Sequence, residues 1–182
     1  LNKIKTQTEV TIQKILKGIK FDQTITIICQ HVNQLHNDQI ESSLKKVIKG
    51  PHKMVDSDTE LKKGHTYILA GGSDYKIDQK SKKLLVFPLG LTEANYHPSF
   101  NYLLDSIVEL KDLDVGCIIL SGLGTDGSAP LKKLKDHDIK IIAQNPESAQ
   151  APYMPQAAIL TGHVDFIYDI EKIHDFIKRK VA

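Results

Sequence analysis

Apolar positions along this chain alternate between two rhythms, one helical and one extended. Ile12, Ile15, Leu16 and Ile19 form one stripe of a helix beginning at Thr8 and ending near Gly18, with Lys14, Lys17 and Lys20 on its solvated side. Thr24 to Cys29 is a β-branched, nearly continuous apolar run, as in a strand covered on both faces. Ile40, Leu44, Val47 and Ile48 define a second helix, which Asn37 or Asp38 can cap and Gly50-Pro51 stops. Lys53 to Val55 and Thr66 to Ala70 read as strands, separated by the charged, turn-like Asp56 to Gly64. Tyr75 to Ile77 and Leu84 to Phe87 flank the polar run Asp78 to Lys83 and read as an antiparallel hairpin with solubilising lysines in its turn.

After the non-repeating loop Leu89 to Pro98, Ser99 can cap a helix that turns Phe100, Leu103, Leu104, Ile107 and Val108 inward. Val115 to Leu120 is a strand, Leu131 and Leu134 mark a short helix, and Ile139 to Ala143 is the next strand. Gln144 to Pro155 reads as a long loop, with Ala157 to Leu160 beginning or continuing a short helix. Val164 to Tyr168 is a last strand, and Ile170, Ile173, Phe176 and Ile177 define a last amphipathic helix. Residues 1 to 7 carry no strong element signal. This alternation predicts one α/β domain over residues 1–182, a single doubly wound, mostly parallel sheet with helices on both faces and a small antiparallel hairpin.

Composition narrows the function classes. With 182 residues, 41% hydrophobic and 25% charged, the chain is long and apolar enough for one substantial core. A net charge of +2, one arginine (Arg179) and no tryptophan argue against nucleic acid as a partner. No stretch approaches membrane-spanning length, so no membrane insertion is expected and a reducing cytoplasm is the simplest location. Cys29 and Cys117 are isolated and read as buried thiols. Because the chain opens on Leu1 rather than methionine, it reads as a fragment, or as a processed or incompletely represented product.

The densest chemistry lies at Cys117 to Gly127, C-I-I-L-S-G-L-G-T-D-G, where a buried strand runs into glycines, Ser121 and Asp126. In an open α/β sheet, reactive groups sit beyond such strand ends. The stretch matches neither a dinucleotide fingerprint nor a P-loop, and its glycines serve a turn or a site equally well. Ser128 can cap the helix that follows. Three other segments carry informative polar groups: Gln30-His31, Gly71 to Asp74, and Tyr96-His97-Pro98-Ser99. His31 and Asp126 can form a base–orienter pair, or each can serve only its own loop. The histidines are scattered without metal-ligand spacing, and no cofactor is implied. Ser73, Ser99 and Ser121 are nucleophiles by type only; no Gly-x-Ser-x-Gly elbow occurs.

Six phrases in register resemble the catalytic domain of chemotaxis protein-glutamate methylesterases. They are I-I-C-Q-H (Ile27 to His31), H-T-Y-I-L-A-G-G-S-D (His65 to Asp74), H-P-S-F-N-Y-L-L (His97 to Leu104), I-I-L-S-G-L-G-T-D-G (Ile118 to Gly127), I-I-A-Q-N-P (Ile141 to Pro146) and Y-M-P-Q-A-A-I (Tyr153 to Ile159). The resemblance implies hydrolysis of glutamate methyl esters on chemoreceptors, with His31 as catalytic histidine and Asp126 as its orienting aspartate. It implies a methylated chemoreceptor or related signalling protein as partner. Leu123 and Tyr153 to Pro155 match loops that shape the site.

The chain departs from the pattern at the nucleophile. Lys5 falls at the serine position, and Lys5-Thr6-Gln7-Thr8 replaces the family's small-residue turn, with no first strand before it. Tyr75 stands where many members have histidine, and Val32-Asn33 replaces Met-Pro. The sequence therefore leaves three alternatives: an incomplete N-terminus, a degenerate member without esterase activity, or a displaced hydroxyl. A noncatalytic receptor- or signalling-partner-binding domain is the competing functional reading.

Overall fold

The computed structural model describes residues 2–80 and 83–181, with side chains from residue 9 onward. α1 (Asn2–Leu16) leads through Gly18, at φ +75°, to β1 (Thr26–Ile28). A 3-10 turn at Gln34–His36 precedes α2 (Asn37–Lys45), followed by β2 (His52–Val55), β3 (Thr59–Leu61) and β4 (Thr66–Leu69). The hairpin strands are β5 (Asp74–Lys80) and β6 (Lys83–Gly90). Then come α3 (Phe100–Ile107), β7 (Gly116–Ile119), α4 (Leu131–Asp136), β8 (Lys140–Gln144), α5 (Tyr153–Leu160), β9 (Phe166–Tyr168) and α6 (Ile170–Val181).

The strands hydrogen-bond in three groups: β1-β4-β2 and β7-β8-β9, both parallel, and β3-β6-β5, antiparallel. Alternate residues along the parallel strands enter two different cores, as the two-residue period of a strand requires. Ile27, Tyr67, Leu69, Cys117, Ile119 and Ile141 face one core, closed by α3, α4, α5 and the antiparallel strands. Ile28, Ile68, Ile118, Leu120 and Ile142 face the other, closed by Ile12, Leu16, Ile40, Leu44 and Ile173 of α1, α2 and α6. Both parallel groups thus lie between the same two layers, which is the doubly wound α/β arrangement. Leu44, Leu131 and Ile173 are fully buried, so truncating any of them to Ala would cost about 2–5 kcal/mol.

Several local expectations shift. β3 forms inside the segment read as a turn, because Thr59, Glu60 and Leu61 pair with Val86, Leu85 and Leu84 and enlarge the hairpin to three strands. β6 runs on to Gly90 through Pro88, beyond the stretch that pairs with β3, where the missing amide breaks no ladder on that side. α5 begins at Tyr153, inside the expected loop, and Ala157 to Leu160 continues it; Pro155 lies in its first turn, where amides have no intrahelical partner. The predicted caps make no capping side-chain bond. Asn37 lies inside α2 and accepts from the Gly71 amide (2.8 Å), Ser99 occupies the N-cap position of α3 but turns its hydroxyl to another loop, and Ser128 has a buried hydroxyl oxygen without a hydrogen-bond partner among the described residues. Residues 81 and 82 of the predicted lysine turn lie outside the described residues.

Candidate active site

Because β1, β4 and β7 belong to parallel groups between the same two layers, the segments leaving their C-terminal ends gather on one side of the fold. His31 follows β1, Asp74 begins β5 just beyond β4, and Asp126 lies in the glycine loop after β7. The first turn of α3 joins them.

His31 Nε2 lies 2.6 Å from Asp126 Oδ2, although the two residues are far apart in the chain. Asp126 is nearly buried, and four groups converge on it. Oδ2 accepts from the Phe100 amide (2.6 Å) as well as from His31; Oδ1 accepts from the Asn101 amide (2.9 Å) and the Ser99 hydroxyl (3.0 Å). A carboxylate from a distant loop therefore satisfies the amides at the start of α3 that a local cap would have taken, and its charge sits at the positive helix end. Burial alone would push the Asp126 carboxyl up. The His31 ring and the Phe100 and Asn101 amides outweigh that desolvation and hold it below the usual carboxylate range. A carboxylate so fixed in its ionised form can orient an imidazole and stabilise its protonated form.

A second histidine–aspartate contact lies alongside. Asp74, fully buried, accepts from His97 Nδ1 (2.8 Å), the Thr92 hydroxyl (2.5 Å), the Thr92 amide (3.3 Å) and the Ser99 amide (2.6 Å). Ser99 therefore gives its amide to Asp74 and its hydroxyl to Asp126. The sequence placed Asp74, His97 and Ser99 on informative segments but did not connect them. Four donors from residues 92 to 99 meet one carboxylate only after β4 and the loop are brought together.

The other candidates separate clearly. Ser121 is buried; its hydroxyl lies 3.3 Å from the Ala151 carbonyl, accepts from the Ala151 amide (3.0 Å), and thus ties two loops. Ser73 bonds to the hairpin backbone at Gly90. Tyr75, at the position of the family histidine, is buried with its hydroxyl 2.8 Å from the Val55 carbonyl and 2.9 Å from that of Ala70, and burial pushes its phenol up to about 12. Cys29, beside His31 in sequence, packs toward the first core; burial and then the Asp126 and Asp74 carboxylates push its thiol well up. Leu123 is half-buried in the glycine loop, and Tyr153 is exposed at the start of α5. Lys5, Thr6, Gln7 and Thr8 fall inside the bounds of α1, and their side chains lie outside the described residues. Among the described residues, no three His, Cys, Asp or Glu side chains converge as metal ligands would.

Tyr96, marked in the sequence only as part of the informative segment Tyr96 to Ser99, has a defined place beside His31. Its ring stacks on the His31 imidazole, with centroids 5.1 Å apart and planes 21° from parallel. The ring also lies beside Gly124, where an added Cβ would lie 3.3 Å from it. An aromatic residue next to a histidine in a non-repeating loop was the available signal.

Comparison with known proteins gives a consistent set. Residues 8–177 match the family model described as CheB methylesterase. The chain is 29% identical over 170 residues to a probable protein-glutamate methylesterase of Borreliella burgdorferi, covering 93% of this chain and 45% of that protein. It is 30% identical over 162 residues to a protein-glutamate methylesterase/protein-glutamine glutaminase of Nitratidesulfovibrio vulgaris, covering 88% and 44%. The chain thus spans about half the length of these curated relatives. The crystal structure of the Thermotoga maritima CheB methylesterase catalytic domain superposes with a TM-score of 0.75, at 21% identity and 94% coverage of both chains.

Proposed function

This chain belongs to the CheB methylesterase family, and on that premise we propose that it is a carboxyl-ester hydrolase domain acting on glutamate methyl esters of chemoreceptors. The observation that carries the reading is the 2.6 Å contact between His31 and an Asp126 held by the start of α3. With Nε2–H donated to Asp126, Nδ1 is the ring nitrogen left to act as base. It takes the proton of an attacking hydroxyl as that oxygen bonds to the ester carbonyl carbon. The same proton passes to the departing methoxide, which leaves as methanol. Water then repeats the sequence on the acyl intermediate and frees the glutamate carboxylate.

The nucleophile is the part the described side chains do not supply. The hydroxyls of Ser99 and Ser121 are committed to Asp126 and the Ala151 backbone, and the family register places Lys5 at the serine. An ammonium must lose its proton before it can attack, so Lys5 does not inherit the serine's role unchanged. A hydroxyl delivered to Nδ1, from Thr6, Thr8 or a segment preceding this one, completes the reaction. The same substitution favours a second reading, a domain that retains the cleft to bind a receptor or signalling partner without turning it over.

Purified full-length protein incubated with methylated receptor peptides separates the two. Methanol release that disappears in His31→Ala supports the hydrolase. Saturable peptide binding with no methanol release overturns it in favour of the binding domain.

A further inference from the structure

The residues around His31 include a wall that the proton-transfer scheme does not use. Residues 91–99 form the loop between β6 and α3, and three of them bind the fully buried Asp74: Thr92 through its amide and hydroxyl, His97 through Nδ1, and Ser99 through its amide. Thr92 Oγ1 also accepts from the Ala94 amide (3.2 Å), and the His97 carbonyl accepts from the amide of Val32, the neighbour of His31 (3.1 Å). Each contact fixes backbone on one side or the other of Tyr96. A loop side chain that would otherwise sample several rotamers is thereby presented to one place, the face of the His31 ring.

We propose that Tyr96 is a positioning residue for His31, held over the imidazole by a loop pinned on Asp74. Stacking removes one face of the ring from water and limits rotation that would carry Nε2 away from Asp126. Gly124, at φ +81°, leaves the flank of the glycine loop low enough for the tyrosine to lie there. Tyr96 itself remains 44% exposed. The inference deepens the hydrolase reading and rests on it for its catalytic consequence, but the placement of the ring is measurable without turnover.

Asp126 holds Nε2 of His31 from the β7 loop, and Tyr96→Ala leaves that partner in place. The test is proton and nitrogen-15 NMR of the His31 ring in the full chain at one fixed pH, comparing Tyr96→Ala, Tyr96→Phe and Leu91→Ala. Leu91 lies on the same loop and is 70% exposed, and so controls for a general disturbance of it. Tyr96→Ala is expected to speed exchange of the Nε2–H proton with water by about tenfold, since the ring then turns away from Asp126 more often. Tyr96→Phe should restore the slow exchange, and Leu91→Ala should leave it unchanged. Unchanged exchange in Tyr96→Ala, or an equal acceleration in all three variants, overturns the proposal. Methanol release measured on the same samples separates the two readings, since its absence in the unmodified protein defeats the hydrolase assignment without touching the exchange rates.

Discussion

The carboxylate of Asp126 lies 2.6 Å from the amide nitrogen of Phe100, the first residue of α3, and so caps a helix to which it does not belong. The contact binds the glycine loop after β7 to the loop before α3, and both press toward His31. Charge, helix terminus and imidazole are therefore one mechanical unit. Disturbing any of them should be felt both in stability and at the ring.

Asp126→Ala leaves the Phe100 and Asn101 amides without their acceptor. It should destabilise the fold by about 3 kcal/mol, read as a lower urea midpoint. Asp126→Asn keeps an acceptor but loses the charge, and should retain more of the stability. If the domain turns over ester, the same change should lower kcat by about 10⁴, as in other His–Asp sites where the imidazole loses its orienting anion.

The depressed Asp126 carboxyl has a direction in pH. Its folded value lies below that of the unfolded chain, so its contribution is complete above the unfolded value of about 3.9 and disappears as pH falls through the lower folded value. Urea midpoints should therefore decline on acidification below about pH 4. The decline should be shallower in Asp126→Asn, and equal slopes in the two proteins would show that this carboxylate does not drive it.

Two glycines should respond differently to alanine. At Gly71 an added Cβ would lie 2.3 Å from the Val32 carbonyl oxygen, which is backbone and adjoins His31. Gly71→Ala should cost about 3 kcal/mol or more and shift the His31 resonances. At Gly122 the added Cβ would meet Met154 Sδ at 2.1 Å and Cγ at 3.0 Å, atoms of a flexible side chain rather than backbone. Gly122→Ala should cost roughly 1 kcal/mol, compared by denaturant melts of the two variants.

Neither cysteine should behave as a nucleophile. Burial pushes the Cys117 thiol up to about 12 and, with two carboxylates nearby, the Cys29 thiol well above its ordinary value. A thiol-specific chromogenic reagent at neutral pH should label neither in the native protein and both after unfolding. Rapid native labelling of Cys29 would return it to consideration as the attacking group.

Tyr75→Phe should cost about 1 kcal/mol, because its hydroxyl is shared between the Val55 carbonyl at the end of β2 and the Ala70 carbonyl just after β4. A thermal melt checks it. A much larger loss would show that this hydroxyl also supports the turn carrying Asp74.

Much of this protein was legible in its residues alone. The spacing of Ile12, Ile15, Leu16 and Ile19, the β-branched runs at Ile27 and Ile118, and the order of six family phrases fixed the α/β alternation and singled out His31 and Asp126. Hydrophobic period and local motif are properties of neighbouring residues, so one dimension suffices for them. Caps and partners are not. Asn37, Ser99 and Ser128 each have the right side chain for a local cap, yet tertiary contacts carried Asn37 to Gly71 and Ser99 to Asp126, while Asp126 itself took the amides of α3. The edge strand at Thr59–Leu61 was likewise decided by β6, since three residues in a charged segment carry too little pattern of their own. Asp74 and Tyr96 acquired their places only when the β6–α3 loop folded back over the ends of β1 and β4. A buried charge needs several donors at once, and only the assembled fold can bring them from that many directions.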